Sequence, residues 1–214
     1  DKTVAVFQFA STSGKPLAIL FSYTCHPTTR YADEVSADYP GVAQRIIEKQ
    51  TGAMALFAQG ACGDIRPNVT KPRSRPRRFR TGTQADVDRY GQELGAKVLR
   101  ILRGRMKMLK PTLAARETVV KLPFDRLPTE TQLREIQKES KNYEVRRVWA
   151  GKMIRRLKES GFSKDLPVEL LLLRLSDDHA ILAVNHELCN GYVPLFQRLV
   201  RNTTLTVLGY TNAC

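Results

Sequence analysis

Pro16-Leu-Ala-Ile-Leu-Phe-Ser-Tyr-Thr-Cys-His-Pro-Thr-Thr29 decides the fold. Residues 16–23 are apolar almost without a break, the pattern of a strand covered on both faces. The chain then turns polar and delivers Cys25, His26 and Pro27 to the loop at the C-terminal end of that strand, where α/β sheets gather ligands. Upstream, Thr3-Val-Ala-Val-Phe-Gln-Phe9 reads as a second strand, joined through the polar Ser11-Thr-Ser-Gly-Lys15 in a hairpin. Downstream, Asp38-Tyr-Pro-Gly41 opens a helix through Glu48, with Asp38 as its N-cap and positions 42, 43, 46 and 47 on its apolar side. Gly52 ends that helix, and Ala53-Met-Ala-Leu-Phe-Ala58 reads as a buried strand. Strand, helix and strand in this order imply a parallel pair with a right-handed crossover.

Working outward, residues 83–102 form an amphipathic helix with Val87, Tyr90, Leu94, Val98, Ile101 and Leu102 on one side. Residues 112–124 look extended, and 128–161 read as two charged helices broken near Asn142, so 126–162 is a helical insertion or lid. Residues 167–175 and 179–184 form a hairpin-like pair, followed by a helix over 193–201 and a last strand over 205–210. The expected class is α/β, a mixed, largely parallel sheet with helices on both faces. It occupies a single domain over 1–214 with a basic loop at 71–82.

Composition agrees with a soluble globular protein: of 214 residues, 42% are apolar and 26% charged, away from the disordered and fibrous classes. The 35 Lys and Arg against 21 Asp and Glu leave a net charge of +14, which favours nucleic acid, anionic lipid or a negatively charged substrate. Six of the ten residues from Lys71 to Arg80 are basic. Only Phe79 interleaves an aromatic ring among them, which weighs against nucleic acid relative to an anionic membrane surface. The four cysteines, at 25, 62, 189 and 214, are too sparse for a disulfide scaffold and are expected as buried free thiols. No run of about 18 apolar residues is present, and no basic-then-apolar leader precedes the first strand. The chain opens on Asp1 and stops at Cys214, directly after a strand-like run, so both ends read as cuts in a longer protein.

The chemistry rests on few residues. Histidine occurs at 26, 179 and 186 only. His179 sits in the turn Ser176-Asp-Asp-His179, where a polar side chain needs no role, whereas His26 and His186 follow apolar strands. A neutral imidazole and a carboxylate suit zinc, which polarises carbonyls and lowers the pKa of its bound water to about 7. His26 and Glu187 would supply two such ligands, although their separation matches no compact motif and histidines that merely end strands remain the alternative. In Gly60-Ala-Cys-Gly-Asp-Ile-Arg-Pro-Asn68 the paired glycines permit tight turns and expose N–H donors suited to a phosphate or oxyanion. An ordinary tight turn accounts for the same glycines.

Taken together, Cys25-His-Pro-Thr28, Ser36-Ala-Asp-Tyr-Pro-Gly41 and Phe57-Ala-Gln-Gly-Ala-Cys-Gly-Asp-Ile-Arg-Pro-Asn68 resemble, in order and approximate spacing, the neutral/alkaline ceramidase family and its bacterial relatives. Val184-Asn-His-Glu187 and Leu208-Gly-Tyr-Thr-Asn-Ala-Cys214 agree with the resemblance, which covers most of the chain apart from the basic loop and residues 128–161. It implies a zinc ion held by two histidines, a glutamate and a tyrosine, whose bound water attacks the amide of an N-acyl-sphingosine. By motif, His26 matches the second histidine and Glu187 the glutamate, and the first histidine would lie upstream of Asp1. The tyrosine position falls on Cys214, whose thiolate is a possible zinc ligand. The family's serine before Pro-Asn is Arg66 here, a residue suited to an anionic or carbonyl oxygen.

The resemblance therefore implies a zinc-dependent amidohydrolase with His26, Glu187 and Cys214 on the metal and Asp64 and Arg66 as catalytic candidates. Gly60, Gly63, Asn68 and His186 are the expected substrate contacts. The substrate would be a small-molecule or lipid amide, with ceramide itself left open, the protein exported or membrane-associated, and the piece inactive without its missing ligand. A basic module that binds an anionic membrane surface or nucleic acid without catalysis is the competing expectation.

Overall fold

A computed structural model describes residues 3–71, 78–139 and 143–211. Two compact units emerge, one formed by Asp1–Thr118 with Leu170–Cys214 and the other by Val119–Glu169.

In the first unit, β1 (Val4–Ala10) and β2 (Pro16–Tyr23) pair antiparallel across a turn in which the Gly14 N–H donates to Ser11 O at 2.9 Å. Gly14 takes φ +83°, a conformation open to glycine at no steric cost. Helix α1 (Asp38–Thr51) carries the chain back, and β3 (Met54–Gln59) joins β2 in parallel, giving the order β1-β2-β3. Gly52 closes α1 as expected, at φ +68° with its N–H on Glu48 O. Asp38 does not cap α1: Ala37 occupies the N-cap, and Asp38, at φ +45°, turns its carboxylate toward the loop after β2.

Helix α2 (Gln84–Arg103) packs on α1. Thr83 and Asp86 close a capping box at its start, so the first orphan N–H groups are satisfied by side chains. The two helices meet closely because Gly91 has no side chain, and a Cβ there would stand 2.3 Å from Cβ of Val42. Ile19, Phe21, Ala55, Tyr39, Ala43, Ile47, Leu94 and Val98 form one core between helices and sheet. Both helices lie on that one face, whereas Phe9, Met54 and Leu56 on the other are exposed. The far face of β2 itself is partly covered, with Ala18 and Leu20 half-buried and Ser22 buried, so the open part of that face belongs to its neighbours β1 and β3.

The remaining strands form a second sheet of order β4-β5-β6-β7, made of β4 (Ala114–Pro123), β5 (Asp165–Ser176), β6 (His179–Val184) and β7 (Thr204–Leu208). Helix α5 (Tyr192–Leu199) connects β6 to β7, which run parallel, while β5 and β6 are antiparallel. Leu205, Val207 and Ala180 with Val193 and Phe196 make its core. The α/β class holds; the strands expected in one largely parallel sheet are divided between two mixed sheets.

The second unit contains α3 (Glu130–Glu139) and α4 (Glu144–Glu159), the charged helices expected in 126–162. Leu133, Ala150 and Ile154 are their buried residues, and Arg134 and Lys158 both pair with Glu130. The expected break at Asn142, residues 72–77 of the basic loop, and Cys214 lie outside the described residues. Among the described residues no helix is long and apolar enough to cross a membrane.

Candidate active site

Strands β2 and β6 play the same part in their sheets: each runs into a loop, then a helix, then a parallel partner. An antiparallel bridge between Gly60 and Leu208, with the Gly209 N–H on Gln59 O at 3.0 Å, stitches the end of β3 to the end of β7. The loops after β2 and β6 are thereby brought face to face. His26 Nε2, from the first, lies 2.8 Å from Glu187 Oε1, from the second.

Short contacts hold the two loops in this register. The Gly63 N–H donates to Leu188 O at 2.9 Å, and Asp64 Oδ1 accepts the Asn190 N–H at 2.7 Å. The His26 N–H donates to Ile65 O at 3.0 Å, and its Nδ1 lies 3.5 Å from Cys62 Sγ. Cys62 is fully buried, and burial, reinforced by the Glu187 carboxylate, pushes its thiol up to about 11. At neutral pH it is a protonated thiol packed against Nδ1. Tyr210 completes the surroundings, its ring centroid 6.1 Å from that of His26.

The Ser36-to-Gly41 block supports the His26 loop from behind. Asp38 Oδ2 accepts the N–H of Thr29 at 3.0 Å and of Arg30 at 3.3 Å, and Oδ1 accepts the N–H of Tyr39 at 2.7 Å. Ser36 Oγ in turn accepts the Asp38 N–H, and the Tyr39 hydroxyl donates to Cys25 O at 2.6 Å. Gln59 Nε2 donates to Tyr23 O and Cys25 O. On the far side, the Gly82 N–H donates to Thr29 O at 3.1 Å, where no Cβ would fit. Fixed backbone on both sides sets where the imidazole points.

Beside His26 opens a cleft of about 670 Å³ walled by Thr29, Arg30, Arg66, Phe79 and Arg80. Arg30 pairs with Glu34 at 2.9 Å and with Gln84 at 3.1 Å; Arg80 holds both oxygens of Asp86, at 2.8 and 2.9 Å. The guanidinium carbon of Arg66 stands over the Phe79 ring, 4.3 Å from its centroid.

The residues expected from sequence therefore fall into three groups. His26 and Glu187 meet, and Arg66 shares the cleft with His26. Gly63 and Asp64 brace the Glu187 loop: a Cβ on Gly63 would stand 3.1 Å from Glu187 Cγ, and Asp64 spends an oxygen on Asn190. Gly60, Asn68 and His186 do not line the cleft. Gly60 packs against Thr24, Asn68 O accepts the Tyr90 hydroxyl, and His186 Nδ1 lies 2.5 Å from Asn185 Oδ1. Cys25 and Cys62 are buried as expected, but Cys189 is exposed. Cys62 and Tyr210 were not expected at the site; nothing in sequence links position 62 to 26, since the contact spans 36 residues.

Tested against zinc, the donors fit in part. His26 Nε2 and Glu187 Oε1 are the atom types zinc takes, and opening their 2.8 Å contact to about 3.3 Å would seat both on one tetrahedral ion. Among the described residues no third His, Cys, Asp or Glu joins them.

No protein-family model and no curated protein matches the sequence. Solved structures match the fold. The chain is similar to the crystal structure of neutral ceramidase from Pseudomonas aeruginosa, with a TM-score of 0.68 at 16% identity, over 97% of this chain and 39% of that one. It is similar also to a ceramidase complexed with C2, with a TM-score of 0.65 at 16% identity, over 98% of this chain and 41% of that one. The chain thus spans about two fifths of the length of these structures, and over that span it has the fold of a neutral ceramidase.

Proposed function

We propose that the protein is a zinc-dependent hydrolase of the neutral ceramidase type that cleaves an amide bond in a substrate other than ceramide. The observation that carries this reading is the 2.8 Å approach of His26 Nε2 and Glu187 Oε1 at the adjoining ends of two strand-loop-helix-strand units. An imidazole and a carboxylate so placed would hold a zinc ion, with Cys214, which lies outside the described residues, as a further candidate ligand. When bound, zinc would supply Lewis acidity toward the amide carbonyl and a water acidic enough to ionise near neutral pH.

The chain's own residues serve that chemistry by position. With Nε2 given to a metal, the imidazole proton would sit on Nδ1, with Cys62 Sγ in place to accept it. Glu187 keeps its second oxygen free for a proton-bearing ligand. The walls formed by Thr29, Arg66 and Phe79 would orient the substrate beside these groups.

Metal analysis and amide hydrolysis by the full-length protein test the proposal. About one zinc per chain is expected, with both metal and hydrolysis lost in His26→Ala and Glu187→Gln. A protein that holds no zinc, and whose amide hydrolysis survives His26→Ala, refutes it.

A further inference from the structure

Three arginines border the cleft beside His26, and two of them have acidic partners. Arg30 is paired with Glu34, and Arg80 with the buried Asp86. Arg66 has no carboxylate partner among the described residues; its guanidinium carbon stands over the Phe79 ring. A guanidinium placed over a ring still has N–H donors to offer a planar, two-oxygen acceptor.

Phe79 is itself held in place. It bridges Thr70, while the Arg80 N–H donates to Val69 O at 3.1 Å and the Lys71 N–H to Arg78 O at 2.8 Å. These bonds fix the Phe79 backbone beside Arg66.

The second observation is Thr29. Its residue is 3% exposed, it lines the same cleft, and Oγ1 is buried without a hydrogen-bond partner. Its backbone is pinned through both N–H and C=O, so the hydroxyl cannot turn away by moving the loop. A buried hydroxyl with no partner costs free energy unless a ligand completes it.

We infer that Arg66 and Thr29 form a carboxylate-binding subsite, and that the substrate is an amide carrying a carboxylate beside the scissile bond. The inference rests on the hydrolase reading and specifies its substrate class. With Arg30 held by Glu34 and Arg80 by Asp86, Arg66 is the arginine of the described wall without a carboxylate partner, and its paired N–H donors suit the two oxygens of a carboxylate. In the reaction, water gives its hydroxyl to the acyl carbon as the C–N bond breaks, and its proton goes to the leaving nitrogen. The products are a carboxylic acid and an amine, one of which retains the recognised carboxylate.

The subsite can be tested without turnover. Binding of hexanoate, hexanol and hexyl phosphate to the full-length protein is measured by NMR line broadening, in the presence of a metal chelator so that direct ligation of zinc does not contribute. Hexanoate is expected to bind at least tenfold tighter than hexanol and tighter than hexyl phosphate. Arg66→Gln removes that preference and Arg66→Lys keeps part of it. Thr29→Val weakens hexanoate several-fold without lowering Tm. Equal binding of hexanoate and hexanol, or a preference that survives Arg66→Gln, overturns the subsite; stronger binding of hexyl phosphate overturns the carboxylate assignment, and wild-type affinity in Thr29→Val overturns the role of the hydroxyl. Hexanoate selectivity in a protein that hydrolyses no amide leaves the subsite standing and the hydrolase reading refuted; hydrolysis without selectivity does the reverse.

Discussion

Gly63 leaves the space that Glu187 fills: a Cβ at position 63 would stand 3.1 Å from Glu187 Cγ and 3.2 Å from Cys189 Sγ. The glycine is therefore a spacer for the acidic half of the site. Gly63→Ala should displace Glu187 by a few tenths of an ångström and weaken zinc binding roughly tenfold or more, in the range found when groups that orient ligands are lost. Tm should change little, because two of the three crowded atoms belong to exposed side chains and the third, the Cys189 backbone nitrogen at 3.3 Å, needs to give only slightly. Zinc titration together with thermal melting checks this, and an unchanged zinc affinity refutes it.

The thiols should report the packing directly. Cys25 and Cys62 are buried, and burial pushes both up to about 11, whereas Cys189 is exposed. Reactivity belongs to the thiolate, so iodoacetamide at about pH 8 should label Cys189 in the native protein and reach Cys25 and Cys62 only after denaturation. Peptide mass spectrometry reads the order. Fast native labelling of Cys62 would contradict its place behind His26.

Much of this architecture was legible in the residues. The run from Pro16 to Tyr23 and the glycine at 52 mark a strand and a helix end through local chemistry alone, and both stand where expected. His26 and Glu187 follow from residue types suited to a metal at the ends of apolar strands, aided by the neighbouring motifs. The split into two sheets was not legible, because the apolar run of β2 does not disclose that Phe9, Met54 and Leu56 stay open on the far face. Nor was the use of Asp38, whose position before a helix suggests a cap while its oxygens serve a segment nine residues upstream. Local patterns carry no information about contacts closed by tertiary structure.

The start of α2 should confer acid sensitivity. Asp86 receives hydrogen bonds first from Arg80 and then from Thr83, which hold its carboxyl well below the usual carboxylate range. Since the folded value is the lower one, this contribution is fully present above the unfolded value, about 3.9, and is lost as pH falls below it toward the folded value. Asp86→Asn lacks the titration. The Tm gap between wild type and Asp86→Asn should be steady at neutral pH and narrow below about pH 4. A gap that stays constant down to about pH 3 would sink the argument.

Asp38 is the residue on which the His26 loop depends most. Its carboxylate accepts three backbone N–H groups, those of Thr29, Arg30 and Tyr39, and it is itself buried. Truncation in Asp38→Ala leaves the buried donors without an acceptor, at roughly 1–3 kcal/mol for each donor that water cannot reach. With one so trapped, Tm should fall by about 2–12 °C for a chain of this size. The same change frees the segment between Cys25 and Arg30, so zinc affinity should fall with Tm, because the imidazole loses its fixed approach to Glu187. Asp38→Asn separates the two effects: the amide oxygen replaces one acceptor and asparagine tolerates the φ of +45°, so this variant should fall between wild type and Asp38→Ala in both measurements. If Asp38→Ala melts as wild type does, the carboxylate is not what holds the loop; if it melts lower but binds zinc with undiminished affinity, the loop does not set the position of His26.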